Sequence, residues 1–340
     1  MINSKVHHWS LREYDDEFKP RLNSESGVMN IVSANSLLRP IVVVVFLLFS
    51  QLCQATELRV MTFNLWVGGE YGGEPLKRSI DAIKLARADI VGLQETHAPE
   101  VDGAQVDNGL QIAKAMGWHY LAQGGRTGIL SRFPISASTA NKWGAKIQYA
   151  DDRELVFFNA HFPASPYQPY QLLKIPYGDA PFIDTEEQAI EWATRARGEQ
   201  VTSLLAELKV ELSSGSPLVL SGDFNEPSHQ DWTNHSVAAK MSPLKVAFPT
   251  TRRITESGML DAWRAVYPNE VTHAGLTWTP TTKPDDPTDR HDRIDFLFVS
   301  RDGVTVTGAE RVGEVGASEL SLEAWPSDHR AVVATIEIDD

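Results

Sequence analysis

The sequence predicts an α/β protein of the α+β kind, with a two-layer core of strands and helices outside it, rather than a doubly wound parallel sheet. Three observations lead there. Short apolar strands far outnumber helices, the helices fall between groups of strands, and strand–helix–strand stretches ending in a carboxylate or an amide occur in both halves of the chain. With 340 residues, 42% of them hydrophobic and 22% charged, there is enough apolar side chain to fill such a core.

Residues 1–55 read as an address rather than as structure. Ile41 to Phe49 is an unbroken apolar run preceded by Arg39-Pro40, too short to span a bilayer but of signal-peptide length. Cys53-Gln54-Ala55 has the small-x-small pattern of a cleavage site, and Met29 is a second candidate start. The expectation is an exported protein, periplasmic or secreted, whose mature chain begins at Thr56; an uncleaved anchor is the alternative. Cys53 is the only cysteine, so that mature chain has no disulfide and rests on its core. It is expected to be a monomer with no stable membrane span.

Formal net charge is -14, and residues 1–55 carry five Lys/Arg against five Asp/Glu, so the whole imbalance belongs to the remainder. That argues against a broad basic face for nucleic acid. A nucleic-acid partner would need a local cationic patch or a bound metal.

Taken in order, Glu57–Trp66 alternates as a strand ending at Asn64, and a glycine-rich loop over residues 68–73 leads to a helix around Leu76, Ile80, Ile83 and Leu85. The apolar strand Ile90 to Leu93 delivers Gln94 and Glu95. Asn108 to Met116 reads as a helix stopped by Gly117. Strands follow at residues 119–122, 127–131, 135–138, 145–149 and 154–161, the last ending in Asn159 and His161 on one face. Prolines 163, 166, 169, 176 and 181, interleaved with Tyr167, Tyr170 and Tyr177, are expected to exclude regular structure from Phe162 to Ile183. Thr185 caps a helix reaching about Leu212. Further on, the sequence predicts a short helix from Met259, a strand Leu276–Thr279, strands in HDRIDFLFVS and Val304–Val312, and a final strand Ala331–Ile338 opened by the turn Trp325–His329.

The stretch LVLSGDFNEP (Leu218–Pro227) carries the chemistry. An apolar strand ends in Gly222, and Asp223 and Asn225 follow two apart, so alternation aims both to one side. A carboxylate there can orient or accept the proton of a water, and an amide can donate to a phosphoryl oxygen without repelling it. Asn64, Glu95, His161, Asp295, Asp328 and His329 likewise stand at strand ends or adjoining turns. Each alone suits a turn or a satisfied core group; together they suit a site assembled on a rigid scaffold.

TFNLW, GLQET, NAHF, GDFN, RIDF and SDHR together resemble the endonuclease/exonuclease/phosphatase family, which includes pancreatic-type deoxyribonucleases, AP endonucleases, inositol-polyphosphate phosphatases and neutral sphingomyelinases. The resemblance covers Leu58 to Ile338 and implies a four-layered α/β sandwich: two mixed sheets face to face with helices outside. It implies Glu95 as a metal-binding carboxylate, with Asn64 and Asp328 beside it, and His161 as a phosphate-binding histidine. Asp223 and Asn225 match the pair that orients water and phosphate. His329 matches a second essential histidine, held by Asp295. In HDRIDF, Asp292 and Asp295 lie three apart and so on opposite strand faces, which favours Asp295 over Asp292 as that partner. His329 opens a strand from a turn and is not expected to pack in the core.

The resemblance implies a metal-dependent phosphoric ester hydrolase. Direct attack by water is expected, since no Cys or Ser nucleophile motif is present. A hard divalent cation suits the carboxylates, Mg²⁺ first and Mn²⁺ or Ca²⁺ as alternatives. Asp223 and His329 both remain candidates for activating the water. The substrate stays open between nucleic acid, a sphingomyelin-like phospholipid and a small phosphoester, and a non-catalytic binding protein on the same fold is the reading outside enzymes. Lys142, Lys146, Arg126 and Arg132 are a thin basic supply for a nuclease.

Overall fold

Period-two alternation of apolar residues builds two sheets that face each other. The structure is a computed structural model, and it describes residues 56–339; the apolar run at 41–49, the cleavage motif and Cys53 lie outside them. In chain order the strands are β1 (Thr56–Asn64), β2 (Ile90–Gln94), β3 (His119–Gly124), β4 (Thr127–Ser131), β5 (Ile135–Ser138), β6 (Gly144–Ala150), β7 (Arg153–His161), β8 (Leu218–Asp223), β9 (Met259–Asp261), β10 (Asp295–Ser300), β11 (Val304–Glu314), β12 (Leu320–Leu322) and β13 (Ala331–Ile338). The helices are α1 (Lys77–Leu85), α2 (Asn108–Met116), α3 (Gln168–Leu173), α4 (Glu186–Ser213), α5 (Asn234–Ala238), α6 (Pro249–Glu256) and α7 (Ala262–Val266).

One sheet runs β12-β11-β13-β1-β2-β4-β3 and the other β5-β6-β7-β8-β10-β9. Both are mixed: β1 pairs parallel with β2, and β7 parallel with β8, among antiparallel neighbours. Leu58, Val60, Ile90, Phe157, Val219, Leu297 and Val332 fill the space between the sheets. Their neighbours in sequence point outward. Met61, Phe63, Val91 and Val333 pack under α1 and α2, while Phe158, Leu220 and Phe298 pack under α4 and α6. Helix, sheet, sheet, helix is the expected four-layered sandwich, because the central strands are apolar on both faces.

Four local expectations are corrected. The proline-rich segment does hold a helix, α3, with a proline in its first turn, where a missing N–H costs nothing. Residues 276–279 form no strand; Trp278 makes only isolated bridges, to Asp292 and to His329. Met259–Asp261 pairs with β10 as an edge strand before the helix begins at Ala262. β12, α5 and α6 were not anticipated, being short or, for α6, started by Pro249.

Candidate active site

Three central strands repeat one gradient along their inward faces. On β1 it runs Leu58, Val60, Thr62, Asn64; on β7, Leu155, Phe157, Asn159, His161; on β8, Val219, Ser221, Asp223. Apolar contact gives way to a buried polar layer, and that layer to the groups at the strand ends. Gln94 Nε2 donates to Asn159 Oδ1 (2.6 Å) and Thr62 Oγ1 (3.1 Å), and Ser221 Oγ donates to Asn159 Oδ1 (3.1 Å), so the two sheets are cross-linked just beneath the site. Gly92 makes room for this layer: a Cβ there would stand 2.0 Å from Ser221 Oγ.

The eight residues singled out in the sequence meet at these ends, four from each sheet. Asn64, Glu95, Asp328 and His329 come from β1, β2 and the turn before β13; His161, Asp223, Asn225 and Asp295 come from β7, β8 and β10. Asn64 Nδ2 donates across the gap to Asp223 Oδ2 (2.9 Å) and lies 3.4 Å from Glu95 Oε1. His329 Nδ1 donates to Asp295 Oδ2 at 2.9 Å, and its Nε2 stands 3.7 Å from Asp223 Oδ2. His161 Nε2 lies 3.6 Å from Asp223 Oδ2 and 3.9 Å from Glu95 Oε1. Asp295 pairs opposite Asp223 in the ladder, which puts the support of His329 directly beside it.

Two of these side chains reach the site through left-handed backbone, not alternation. Glu95 (φ 53°) ends β2 and turns its carboxylate inward, where Oε2 accepts from Val67 N–H (2.9 Å). Asn225 (φ 49°) leaves β8 in a tight turn. Its N–H donates to Asp223 Oδ1 (2.9 Å) and its Nδ2 to Asp223 Oδ2 (3.2 Å), while Phe224 turns into the outer core. Non-glycine residues in this conformation are costly and gather at functional sites.

Buried charge shapes the titration. Burial alone would lower the His329 imidazole, but the Asp295, Asp223 and Asp328 carboxylates outweigh it and hold the ring well above its ordinary value, as imidazolium at neutral pH. Burial pushes Asp223 up, helped by Asp295 and opposed by both histidines. Burial also pushes Glu95 up, yet His161, the Val67 N–H, His329 and Asn64 together leave it below the usual carboxylate range. Asp328 is pushed up to about 7, by burial first and then by Glu95 and Asp223. His329 is 3% exposed, so the expectation that it need not pack in the core is overturned: it fills the space between three carboxylates.

The donors fit a hard divalent cation. Asp328 Oδ1 is buried with no hydrogen-bond partner among the described residues, and it belongs to the same electrostatic group as Glu95. A cation shared by Glu95, Asp328 and Asn64 would satisfy that orphan oxygen and lower the Asp328 pKa. Asp223, Asp295 and His329 also offer ligand atoms within 4.8 Å of one another. There, however, the ring's Nδ1 is already committed to Asp295, so a hydrogen-bonded Asp295–His329 pair with Asp223 in ion-pair range of Nε2 (3.7 Å) describes that group better.

A cleft of about 440 Å³ opens over these groups, walled by Trp66, Tyr167, Tyr170, Tyr177 and Trp278, with no Lys or Arg in its lining. Tyr167 Oη donates to Asp292 Oδ2 (2.9 Å), which also accepts from Trp232 Nε1 at its other oxygen (3.1 Å). Asp292 thus braces the cleft wall and makes no contact with His329; it precedes β10 and is not on that strand's far face. Of the four basic residues noted in the sequence, Arg126 reaches Glu95 Oε2 (3.8 Å) and Lys142 borders a groove beside His161. Arg132 and Lys146 pair instead with Asp89 and Glu211. Sequence reasoning missed Trp66, Trp278 and the buried Arg197. The Arg197 guanidinium donates to the carbonyls of Asn225 (2.5 Å) and Pro166 (3.1 Å) and to Gln168 Oε1 (2.8 Å). Within an amphipathic helix it reads as solvated, and at 28 residues from the Asn225 carbonyl the sequence carried no local signal for it.

The profile of the Endonuclease/Exonuclease/phosphatase family matches residues 61–329. An uncharacterised protein of Caenorhabditis elegans is 27% identical over 298 residues, 82% of this chain and 90% of that protein. An inositol phosphosphingolipids phospholipase C of Schizosaccharomyces pombe is 26% identical over 247 residues, 65% of this chain but 49% of its own length. Among solved structures, an endonuclease/exonuclease/phosphatase from Beutenbergia cavernae superposes with a TM-score of 0.54 at 17% identity, covering 84% of this chain and 72% of that one. At that identity the likeness is one of fold.

Proposed function

The chain belongs to the endonuclease/exonuclease/phosphatase family, whose members are metal-dependent phosphoester hydrolases, and from that premise we propose that it cleaves a phospholipid phosphodiester by direct attack of water. The observation that carries this reading is an aromatic cleft whose floor holds Glu95, Asp223, Asn225, Asp328 and His329 and whose lining has no Lys or Arg, Arg126 beside Glu95 and Lys142 beside His161 being the basic groups at its margin. A net charge of -14 opposes nucleic acid for the same reason, and a lipid phosphodiesterase among the relatives supports the choice.

Glu95, Asn64 and Asp328 would hold Mg²⁺, which when bound neutralises charge gathering on the phosphoryl oxygens. Imidazolium His329, fixed by Asp295, donates from Nε2 to a phosphoryl oxygen, and His161 is a further donor at the same face; the Asn225 amide, which donates to Phe162 O (3.0 Å) and Asp223 Oδ2 (3.2 Å), would join by releasing one of those bonds. Asp223, held by Asn64 and the Asn225 N–H, is the remaining carboxylate placed to accept the proton of the attacking water. The structure favours it over His329, whose ring is kept protonated. No Ser or Cys stands among these groups, which supports a single displacement over a covalent intermediate.

Purified protein should hydrolyse bis(p-nitrophenyl) phosphate with Mg²⁺ and lose the activity to a chelator. On a panel of sphingomyelin, inositol phospholipid, DNA and RNA, the lipids should be turned over faster. A panel led by DNA or RNA overturns the lipid reading, and no activity on any phosphoester overturns catalysis altogether. The same reading includes export with cleavage after Ala55, supported by the apolar run and its small-x-small end. Mass spectrometry should find an exported form beginning at Thr56; an intact N-terminus in the cytoplasmic fraction refutes that.

A further inference from the structure

We propose that the mouth of this site is a docking face for a zwitterionic lipid surface, an inference that rests on the lipid-phosphodiester reading above. Nine large hydrophobic side chains stand exposed among the described residues, and six of them occupy the three connecting segments that run from β1, β2 and β7 to α1, α2 and α4, Leu173 as the last residue of α3. They are Tyr71, then Val101 and Val106, then Leu173, Tyr177 and Phe182. Those three strands are the ones whose carboxyl ends deliver Asn64, Glu95 and His161, so the apolar tips stand at the same end of the sandwich as the chemistry. Exposed apolar residues scattered singly, as Leu110, Val210 and Val315 are, need no explanation, but six gathered at one end of a fold do.

The three segments are joined around the cleft. The Tyr71 ring meets Trp66 at 5.3 Å between centroids, and Trp66 walls the cleft together with Tyr177, Ile175 and Pro176. The 98–106 loop lies against the first segment so closely that a Cβ on Gly68 would be 2.6 Å from the Ala98 nitrogen. Tyr177 leans edge-on against Tyr170, 5.5 Å away, which continues the apolar wall down to the site floor. An apolar lip around a polar floor is what an enzyme needs if its phosphodiester sits at headgroup depth: the lip enters the acyl boundary and the floor stops at the phosphate.

Charge selects the kind of surface. The chain carries a net -14, and the one Lys or Arg within the three segments, Lys174, is paired with Asp184 at 2.6 Å. An anionic bilayer would repel such a protein, because attraction there comes from unpaired Lys and Arg. A neutral phosphatidylcholine-type surface lets the aromatic and aliphatic tips act alone.

Flotation of the Mg²⁺-loaded protein with phosphatidylcholine vesicles tests this, beside vesicles one-third phosphatidylglycerol, at low and high salt. Binding to the neutral vesicles should be insensitive to salt and about tenfold stronger than to the anionic ones at low salt. The Val101→Asp/Phe182→Asp double variant should lose vesicle binding by about tenfold or more, while turnover of soluble bis(p-nitrophenyl) phosphate stays within about twofold of the parent. No binding by the parent, stronger binding to anionic vesicles, or equal binding by the variant overturns the proposal. So does light scattering that finds a dimer which the variant dissociates, since the face would then belong to a second copy. Loss of aryl-ester turnover in the parent itself would instead count against the catalytic reading, which flotation does not measure.

Discussion

The Asp295–His329 pair is where catalysis and structure can be separated most cleanly. The ring is enclosed, with Nδ1 bonded to Asp295 at 2.9 Å and Nε2 facing Asp223 at 3.7 Å. Asp295→Asn keeps the shape but replaces a charge-assisted bond with a neutral one, which removes roughly 1.5–3 kcal/mol of support for the imidazolium. His329→Ala removes the donor itself, and loss of one preorganised donor to a developing oxyanion lowers turnover on the order of 10²–10³-fold, about 2.7–4 kcal/mol. Because both changes act on one proton donor, the double variant should be little slower than His329→Ala alone. Stability must be followed in parallel. Removing a buried partner costs up to about 3–5 kcal/mol, reduced here because Asp223, already pushed up by burial, can take up a proton once the imidazolium is gone. The assay is turnover of an aryl phosphodiester with saturating Mg²⁺, well below each variant's thermal midpoint. A metal-dependent rate near the parent's for His329→Ala, or additive losses in the double variant, would refute the reasoning.

Asp328, with a pKa pushed up to about 7 in the metal-free protein, must lose a proton to bind a cation. Calorimetric Mg²⁺ or Mn²⁺ titration should therefore show affinity rising with pH through about 7, and Asp328→Asn should weaken binding and flatten that dependence. The raised His329 pKa has a definite sign: its stabilisation is fully present below the unfolded value of about 6.5 and is lost as pH rises through the folded value. Thermal midpoints should accordingly fall on the alkaline side, and fall less in His329→Gln. Asp292→Asn should raise KM more than it lowers kcat, since its oxygens brace Tyr167 and Trp232 and do not touch His329; equal damage to kcat would place it in the chemistry instead.

The layers and the strand-end groups were legible because both follow from period two. Leu58, Val60, Thr62 and Asn64 state their common face in sequence, and so do Leu155, Phe157, Asn159 and His161. Chain spacing also favoured Asp295 over Asp292, although the reason differed: Asp292 lies before the strand begins and is held by Tyr167 and Trp232. What alternation cannot express was not legible. The left-handed turns at Glu95 and Asn225 look like ordinary strand ends until tertiary contacts are known. Arg197 lies 28 residues before the Asn225 carbonyl it holds, and nothing local marks it as buried. Proline density misled in the 162–183 segment, where one proline stands in the first turn of α3, a position proline tolerates.

The division of the site between two sheets has a consequence for how the protein comes to be active. Two bonds that define the floor, Asn64 to Asp223 and His329 to Asp295, run from one sheet to the other. A chain that has formed either sheet alone carries four of the eight groups and neither of those pairs. Return of turnover during refolding would then time the docking of the sheets, not the formation of either one. A cation bound between them would also link its own release to the separation of the layers, so metal should slow unfolding as well as enable hydrolysis.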